Sequence, residues 1–167
     1  MGLWGFLVKG GKPGFAPTNA RDDKLVAGWP WKLVSRQQRC LVPADGFFEP
    51  EKPGVKGAVP WSYYTLGNRQ VFMMAGLWNE APHPKTGEPV ETYTVVTTTA
   101  NGVIRKHNRM PAILEDVDLA TWLKPGLVLT GALKPYPPER MTGWRVSDEA
   151  RNPRIPDHPG LIESAAA

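Results

Sequence analysis

The sequence predicts an α+β fold in which many short strands form a curved, barrel-like, mostly antiparallel sheet with a few short helices. Three observations support this class. The 167 residues include 17 Gly and 18 Pro, too many for a helical bundle. The apolar runs are short and are separated by turn residues, and residues 91–99 are rich in Thr, Val and Tyr, as is typical of strands. The length predicts one domain with a substantial core.

The elements follow from these patterns in chain order. Thr18 or Asn19 is expected to cap a short helix that ends near residue 25, and Asn101 a second one that ends near residue 106. Asp116 or Asp118 is expected to cap a helix over 119–123, which Pro125 and Gly126 would end. The segment 133–138 is rich in Pro and predicts a polyproline-like stretch. The last residues, 148–167, are expected to wrap the surface or to be disordered. Strands are predicted over 3–8, 40–42, 46–48, 61–66, 70–78, 91–99 and 141–147.

Composition limits the functional classes. The net charge of +4 favours polyanionic partners, and the seven Trp residues are enough to include stacking surfaces as well as core. A single Cys excludes an internal disulfide framework, and the three scattered His residues show no zinc spacing, so we expect neither a metal nor a cofactor. The chain shows no apolar run of membrane-spanning length and no secretory signal. We therefore expect no membrane partner and a cytoplasmic location, at the nucleoid if the source is bacterial.

The segment 39–49 is the most informative stretch. Its Asp45-Gly46 pair predicts a turn between two short strands, because Gly adopts positive φ freely and Asp bonds to its own backbone. Glu49 then follows two aromatic residues and precedes Pro50. The segment by itself favours a hairpin with a solvated Glu49. The alternative is an acid/base carboxylate held by a rigid turn, and this alternative requires partners elsewhere in the chain.

Candidate partners lie at 19–21 and 107–111. His107 follows two cationic residues, and nearby positive charge favours its neutral, basic form, although a plain surface His fits the local sequence equally well. Arg105 and Arg109 suit phosphates because guanidinium binds them in a bidentate manner. A cysteine-hydrolase triad of Cys40, His107 and Asp45 is disfavoured, because a cysteine within a strand is normally buried. Four tryptophans are assigned first to the core, namely Trp29, Trp31, Trp61 and Trp78.

Taken together, these motifs resemble one family. The SOS-response-associated peptidase (SRAP) family, which comprises the abasic-site processing proteins, carries the same blocks in the same order, and the resemblance runs from Trp4 to about Glu163. The 39–49 block and the His-Asn-Arg-Met-Pro block are the specific ones, whereas Trp-Gly and Asn-Ala-Arg alone would be weak. The blocks are Trp4-Gly5-Phe6-Leu7, Asn19-Ala20-Arg21, Arg39 to Glu49, Ala75-Gly76-Leu77-Trp78, Thr97-Thr98-Thr99-Ala100-Asn101 and His107-Asn108-Arg109-Met110-Pro111.

The resemblance implies a function as well as a fold. Members of the family bind single-stranded DNA and capture abasic sites covalently, so single-stranded DNA containing abasic sites is the expected partner. By resemblance, Asn19 positions the sugar, Glu49 shuttles protons, and His107 acts at the sugar hydroxyl or in the reversal, so these three residues are expected to converge on one pocket. The DNA contacts implied by the resemblance are Trp4, Gly5, Asn19, Arg21 and Arg109.

One departure from the family concerns the start of the chain. The family uses a cysteine directly after the initiator Met, whose amine and thiol close a thiazolidine ring on the sugar aldehyde, and residue 2 here is Gly. The resemblance therefore implies a member shortened at its start, and we expect the chain as printed to form no stable thiazolidine. The alternatives are a non-catalytic remnant that binds single-stranded DNA and a degenerate domain that binds a protein partner. The sequence leaves the oligomeric state open.

Overall fold

The structure, a computed structural model, describes residues 2–12, 14–51, 59–104, 107–126 and 130–165. These residues divide into two compact units. The first comprises Met1–Pro43, Met73–Thr99 and Pro111–Pro135, and the second comprises Ala44–Phe72, Ala100–Met110 and Tyr136–Ala167. Within the described part of the chain, no helix is long and apolar enough to cross a membrane.

In the part of the chain that the structure describes, the regular structure consists of ten strands and two α-helices, together with short 3-10 turns. The helices are α1, Trp31–Val34, and α2, Asp116–Leu123. The strands are β1, Leu3–Trp4; β2, Asn19–Arg21; β3, Arg39–Ala44; β4, Phe47–Pro50; β5, Trp61–Leu66; β6, Phe72–Pro82; β7, Pro89–Thr99; β8, Arg109–Pro111; β9, Ile113–Leu114; and β10, Met141–Arg145.

The first unit is built on a seven-stranded mixed sheet in which β7 is central. Strand β6 runs antiparallel along one edge of β7, whereas β1 and β2 pair with β7 in parallel. Strand β3 follows β6, while β8 and β9 pair with β7 and β6. The prediction of a mostly antiparallel, barrel-like sheet is therefore only partly correct. The sheet is mixed, because β1 and β2 add to β7 in parallel, and the described strands do not close into a barrel.

A side-chain network fixes the chain that follows β1. Thr92, which is fully buried in β7, accepts a hydrogen bond from the Leu7 amide and donates one to Asn79 Oδ1. The Asn79 amide nitrogen in turn donates to the Leu7 carbonyl over 2.7 Å. Both backbone groups of Leu7 are thus satisfied by side chains of the sheet, so the segment keeps its place although the strand ends at Trp4.

The core of the first unit lies around Trp122 of α2. Its side chain is fully buried, its indole N–H donates to the Cys40 carbonyl over 3.0 Å, and the Arg39 guanidinium lies 5.1 Å from its ring centroid. Gly76 of β6 must remain small, because a Cβ there would lie 2.7 Å from the Cys40 sulfur. The chain therefore brings β3, β6 and α2 into close contact through one aromatic ring and one glycine.

The second unit contains an antiparallel sheet in the order β10, β5, β4. The turn at Asp45 is anchored to β5: Thr65 donates to the Asp45 carbonyl over 2.6 Å, and the Asp45 carboxylate pairs with Arg69 at 2.8 Å. Gly46 lies against Tyr63, and a Cβ at Gly46 would lie 2.1 Å from that ring. The expected hairpin across this turn is wrong, because β3 and β4 pair in different sheets. The turn instead directs β4 onto β5.

Several predicted elements differ from the observed ones. Residues 19–21 form strand β2, not a helix, because their backbone pairs with β7, and only a 3-10 turn, Asp22–Lys24, follows. Over 101–104 the chain makes turns, with the Asn101 side chain accepting from the Val103 amide, and residues 105 and 106 lie outside the described part. Helix α2 begins at Asp116, after Glu115. The described tail forms two 3-10 turns and a bridge between Val146 and Ser164.

Replacing Trp122 tests the importance of this core contact. Trp122→Ala is expected to lower the free energy of unfolding by about 3–5 kcal/mol, because it leaves a cavity and removes the hydrogen bond from the indole to the Cys40 carbonyl. Trp122→Phe should cost less, since the ring volume is largely kept. Urea denaturation followed by circular dichroism measures the change. Val117→Ala, at an 84% exposed position of the same helix, is the control and should change stability by less than about 0.5 kcal/mol.

Candidate active site and nucleic-acid interface

Glu49 and His107 form a close pair in the second unit. Glu49 lies on β4, where Ser62 of β5 is its register partner, and His107 lies just before β8. The His107 Nδ1 and Glu49 Oε2 atoms are 3.6 Å apart, and the two side chains are only 10% and 27% exposed. The sequence separates these residues by a long interval, and the fold of the second unit brings them together.

The Pro50 carbonyl determines which imidazole nitrogen is held as a donor. His107 Nε2 makes a hydrogen bond to this carbonyl, which can only accept, so Nε2 carries a proton. The other ring nitrogen, Nδ1, faces the Glu49 carboxyl group. A ring nitrogen and a carboxyl group held this close have the geometry that a proton relay requires.

Burial also sets the electrostatics of this pair. The loss of solvent raises the pKa of Glu49, and the positive charge of protonated His107 opposes this rise as the smaller effect. A carboxyl group with a raised pKa exchanges its proton closer to neutral pH than a solvated one. The second unit contains a useful contrast: His158 Nε2 and Glu149 Oε2 lie 3.5 Å apart but are 43% and 59% exposed.

Three of the predicted DNA-contacting residues share one edge of the first unit's sheet. In the register with β7, Trp4 is opposite Tyr93, Asn19 opposite Val95, and Arg21 opposite Thr97. Side chains of a strand alternate between faces, and partners across a parallel ladder point to the same face. Trp4, Asn19 and Arg21 therefore follow one another along one face of this edge, and all three are exposed.

Local contacts orient these side chains. The Trp4 indole N–H donates to the Thr18 carbonyl over 3.0 Å, and the Asn19 amide donates to the Thr18 hydroxyl over 3.4 Å. Thr18 thus links Trp4 and Asn19, a role that sequence reasoning did not assign to it. Arg21 forms two 2.9 Å hydrogen bonds with Asp23, and this pairing raises the pKa of Arg21, so its charge is permanent.

The remaining predicted residues have other environments. Gly5 is buried, has a φ of 120°, and donates its amide hydrogen to the Tyr93 carbonyl. Its role here is therefore to fix the backbone conformation directly after Trp4. Arg109 begins β8 and is half-buried. Arg105 lies outside the described residues. The convergence of Asn19 with Glu49 and His107 stays a prediction. Among the described residues, no group of three or more His, Cys, Asp or Glu side chains is placed to hold a metal ion.

Cys40 does not have the properties of a nucleophile. Burial raises the pKa of its thiol to about 11, so the reactive thiolate is scarce at neutral pH. It lines a cavity of about 570 Å³ in the first unit together with Trp78 and Tyr93. The observed environment agrees with the argument against a cysteine-hydrolase triad.

Known proteins resemble this chain along most of its length. The sequence model described as SOS response associated peptidase (SRAP) matches residues 1–153. Abasic site processing protein YoqW of Bacillus subtilis (strain 168) is 32% identical over 169 residues, covering 96% of this chain and 74% of its own. Abasic site processing protein YoaM of the same strain is 30% identical over 159 residues, which cover 90% of this chain and 69% of YoaM. A crystal structure of a protein from Bacteroides thetaiotaomicron matches with a TM-score of 0.80 and 27% identity, covering 99% of this chain and 75% of that one.

The raised pKa of Glu49 makes stability depend on pH. Above pH 4.5, the ordinary value, the unfolded chain releases the Glu49 proton while the folded chain retains it, so the free energy of unfolding falls as pH rises towards the folded pKa. Glu49→Gln removes this dependence, and its stability relative to the parent chain should increase as the pH rises from about 4.5 to 7. Urea denaturation at several pH values measures the difference. Glu149→Gln, in the exposed pair, is the control, and a parallel trend in both variants would contradict the assignment of the pH dependence to Glu49.

Proposed function

The chain belongs to the SRAP family, and we propose that it binds abasic sites in single-stranded DNA and moves protons at the abasic sugar through Glu49 and His107. Relatives whose printed name is abasic site processing protein support the choice of substrate. The Glu49–His107 pair is the observation that carries the chemical part of the proposal.

The chemistry of an abasic sugar fits a proton relay. The sugar interconverts between a closed hemiacetal and an open aldehyde, and ring opening requires a proton to leave the hydroxyl and another to reach the ring oxygen. A base and an acid that share one proton can serve both steps. Glu49 and His107 are suited to these roles, because Nε2 is held as a donor by the Pro50 carbonyl and Nδ1 faces the Glu49 carboxyl group.

The exposed sheet edge supports the DNA-binding part. Trp4 is 60% exposed and offers an aromatic surface to a base, Asn19 offers an amide to the sugar, and Arg21 offers a guanidinium to a phosphate. Asp23 already holds Arg21, so a phosphate would bind by sharing or displacing that carboxylate. The net charge of +4 favours the approach of a polyanion.

The acid/base role can be tested with an external aldehyde probe. An alkoxyamine reacts only with the open-chain sugar, so the rate of oxime formation on an abasic oligonucleotide saturated with protein reports ring opening. We expect Glu49→Gln and His107→Asn each to lower this rate by about 10²-fold, the usual contribution of a positioned acid or base. Glu149→Gln and His158→Asn are the matched controls and should leave the rate unchanged. Equal rates for all four variants would contradict the proposed role and would favour a protein that only binds DNA.

The binding role predicts a salt-dependent affinity for single-stranded DNA. Each cation that contacts a phosphate releases counterions, so fluorescence anisotropy with a labelled abasic oligonucleotide should show affinity falling with salt. Arg21→Ala should reduce the slope of log affinity against log salt by roughly 0.7, the value for one phosphate contact on a single strand. Trp4→Ala should weaken binding and leave this slope unchanged. An affinity that is insensitive to salt would rule out the proposed interface.

A further inference from the structure

A pair of exposed aromatic residues in the first unit is not explained by the fold or by the site described above. Phe15 and Trp29 stack with their ring centroids 5.5 Å apart and their planes inclined by 29°. Phe15 is 37% exposed and Trp29 is 53% exposed, whereas Trp31, two residues further on, is 7% exposed and packs on Phe6. The expectation that Trp29 belongs to the core is therefore wrong. Of the two tryptophans that flank Pro30, Trp31 is the buried one.

Three lysines lie near this pair along the backbone, and we call the pair the Phe15–Trp29 platform. The Phe15 amide donates to the Lys12 carbonyl, the Gly28 amide donates to the Lys24 carbonyl, and the Lys32 amide donates to the Gly28 carbonyl. These backbone bonds hold all three lysines within one turn of the aromatic residues, and all three are exposed. The stacked rings therefore lie in a positively charged setting.

The nearest acidic residues in the sequence have other partners. Asp23 pairs with Arg21, and Asp22 accepts a hydrogen bond from the Thr98 hydroxyl over 2.8 Å. The carboxylates keep their negative charge, but Arg21 and the three lysines outnumber them, so this part of the chain retains a net positive charge. Positive charge beside exposed aromatic faces is the combination that binds single-stranded nucleic acid without sequence preference.

The platform is also adjacent to the sheet edge that carries Trp4 and Asn19. The Phe6 amide donates to the Pro17 carbonyl, and the Trp4 indole donates to the Thr18 carbonyl, so residues 15–18 run beside β1. Three residues of chain span at most about 11 Å, which bounds the distance between the Phe15 and Thr18 Cα atoms. The same strand of DNA can therefore reach both features within a few nucleotides.

We propose that the Phe15–Trp29 platform is a second stacking site that binds a base of the strand flanking the abasic nucleotide, with Lys12, Lys24 and Lys32 placed near the phosphates. One face of the Trp29 ring lies against Phe15, yet more than half of the side chain is exposed, so a base can add as a third stacked ring. This inference rests on the proposed function and assigns to it a substrate longer than the lesion itself.

Photocrosslinking identifies the contact directly. An abasic oligonucleotide carrying 5-iododeoxyuridine at one flanking position at a time is irradiated with the protein, and the crosslinked tryptic peptides are sequenced. Trypsin separates the features, because Trp4 lies in peptide 1–9, Phe15 in 10–21 and Trp29 in 25–32. We expect peptide 25–32 to be labelled from at least one flanking position. Labelling of peptide 1–9 alone from every position would overturn the proposal.

Affinity measurements supply the second test. With an oligonucleotide of about 16 nucleotides, Trp29→Ala should weaken binding about tenfold, as expected for the loss of one stacked base. Trp29→Phe should retain most of the affinity, and Lys12→Glu should weaken binding without disturbing the core. With an oligonucleotide of about 2 nucleotides, the lesion and a single neighbour, the strand is too short to reach the platform from the sheet edge, and the same variants should match the parent chain. Val117→Ala, also exposed and in the same unit, is the control for both lengths.

The outcomes separate this inference from the proposed function. If the parent chain binds neither oligonucleotide, the proposed function fails, and the platform fails with it. If the parent chain binds both and Trp29→Ala binds the long one equally well, only the platform proposal is overturned. If Trp29→Ala changes the oligomeric state in size-exclusion chromatography and leaves DNA affinity unchanged, the surface contacts protein and the proposal is wrong.

Discussion

The backbone pairing along β7 is the constraint on which the first unit depends. Because β6 occupies one edge, β1 and β2 must share the other, and their register decides which side chains fall together. Trp4, Asn19 and Arg21 have little in common as a sequence pattern, yet successive odd positions of β7 align them on one face. A slip of one residue in either short strand would turn its side chains to the opposite face.

The Leu7 network shows how such short strands keep their register. A two-residue strand supplies few ladder bonds, so its position depends on what holds the chain after it. The side chains of Thr92 and Asn79 bond both backbone groups of Leu7, and the buried Gly5 amide bonds the Tyr93 carbonyl. The polar side chains Asn79 of β6 and Thr92 of β7 therefore fix the backbone that follows β1. The backbone next to the exposed Trp4 is held in place by these bonds and by the Gly5 amide.

The two His–Glu pairs of the second unit illustrate the effect of burial on identical chemistry. Both have a nitrogen–oxygen distance near 3.5 Å. Only the Glu49–His107 pair is shielded from water, and burial raises the pKa of Glu49. The Pro50 carbonyl adds a further constraint by holding one nitrogen protonated. The environment thus distinguishes the buried pair, which we propose as a proton relay, from the exposed pair, which is why His158 and Glu149 serve as controls.

The sequence by itself determined the strands whose pattern is strong. Residues 61–66 form β5 as predicted, and the predicted strand over 91–99 lies within β7, because β-branched and aromatic residues fit a pleated, packed surface wherever it is built. The family resemblance, carried by specific motifs, was likewise accessible without coordinates and is confirmed by the match over residues 1–153.

Tertiary structure alone decided the rest. Asn19 and its neighbours have the local chemistry of a helix cap, but the open edge of β7 offers backbone partners that a short helix cannot match, so they form a strand. Trp29 and Trp31 flank the same proline, and only packing against Phe6 makes one of them core and leaves the other exposed. The 3.6 Å approach of Glu49 and His107 depends on the folding of β4 against β5 and on the path of the chain before β8. The local sequence determines which backbone conformations have a low free energy. Long-range backbone pairing and burial then select among these conformations, because pairing and burial contribute more free energy than the small differences in local propensity.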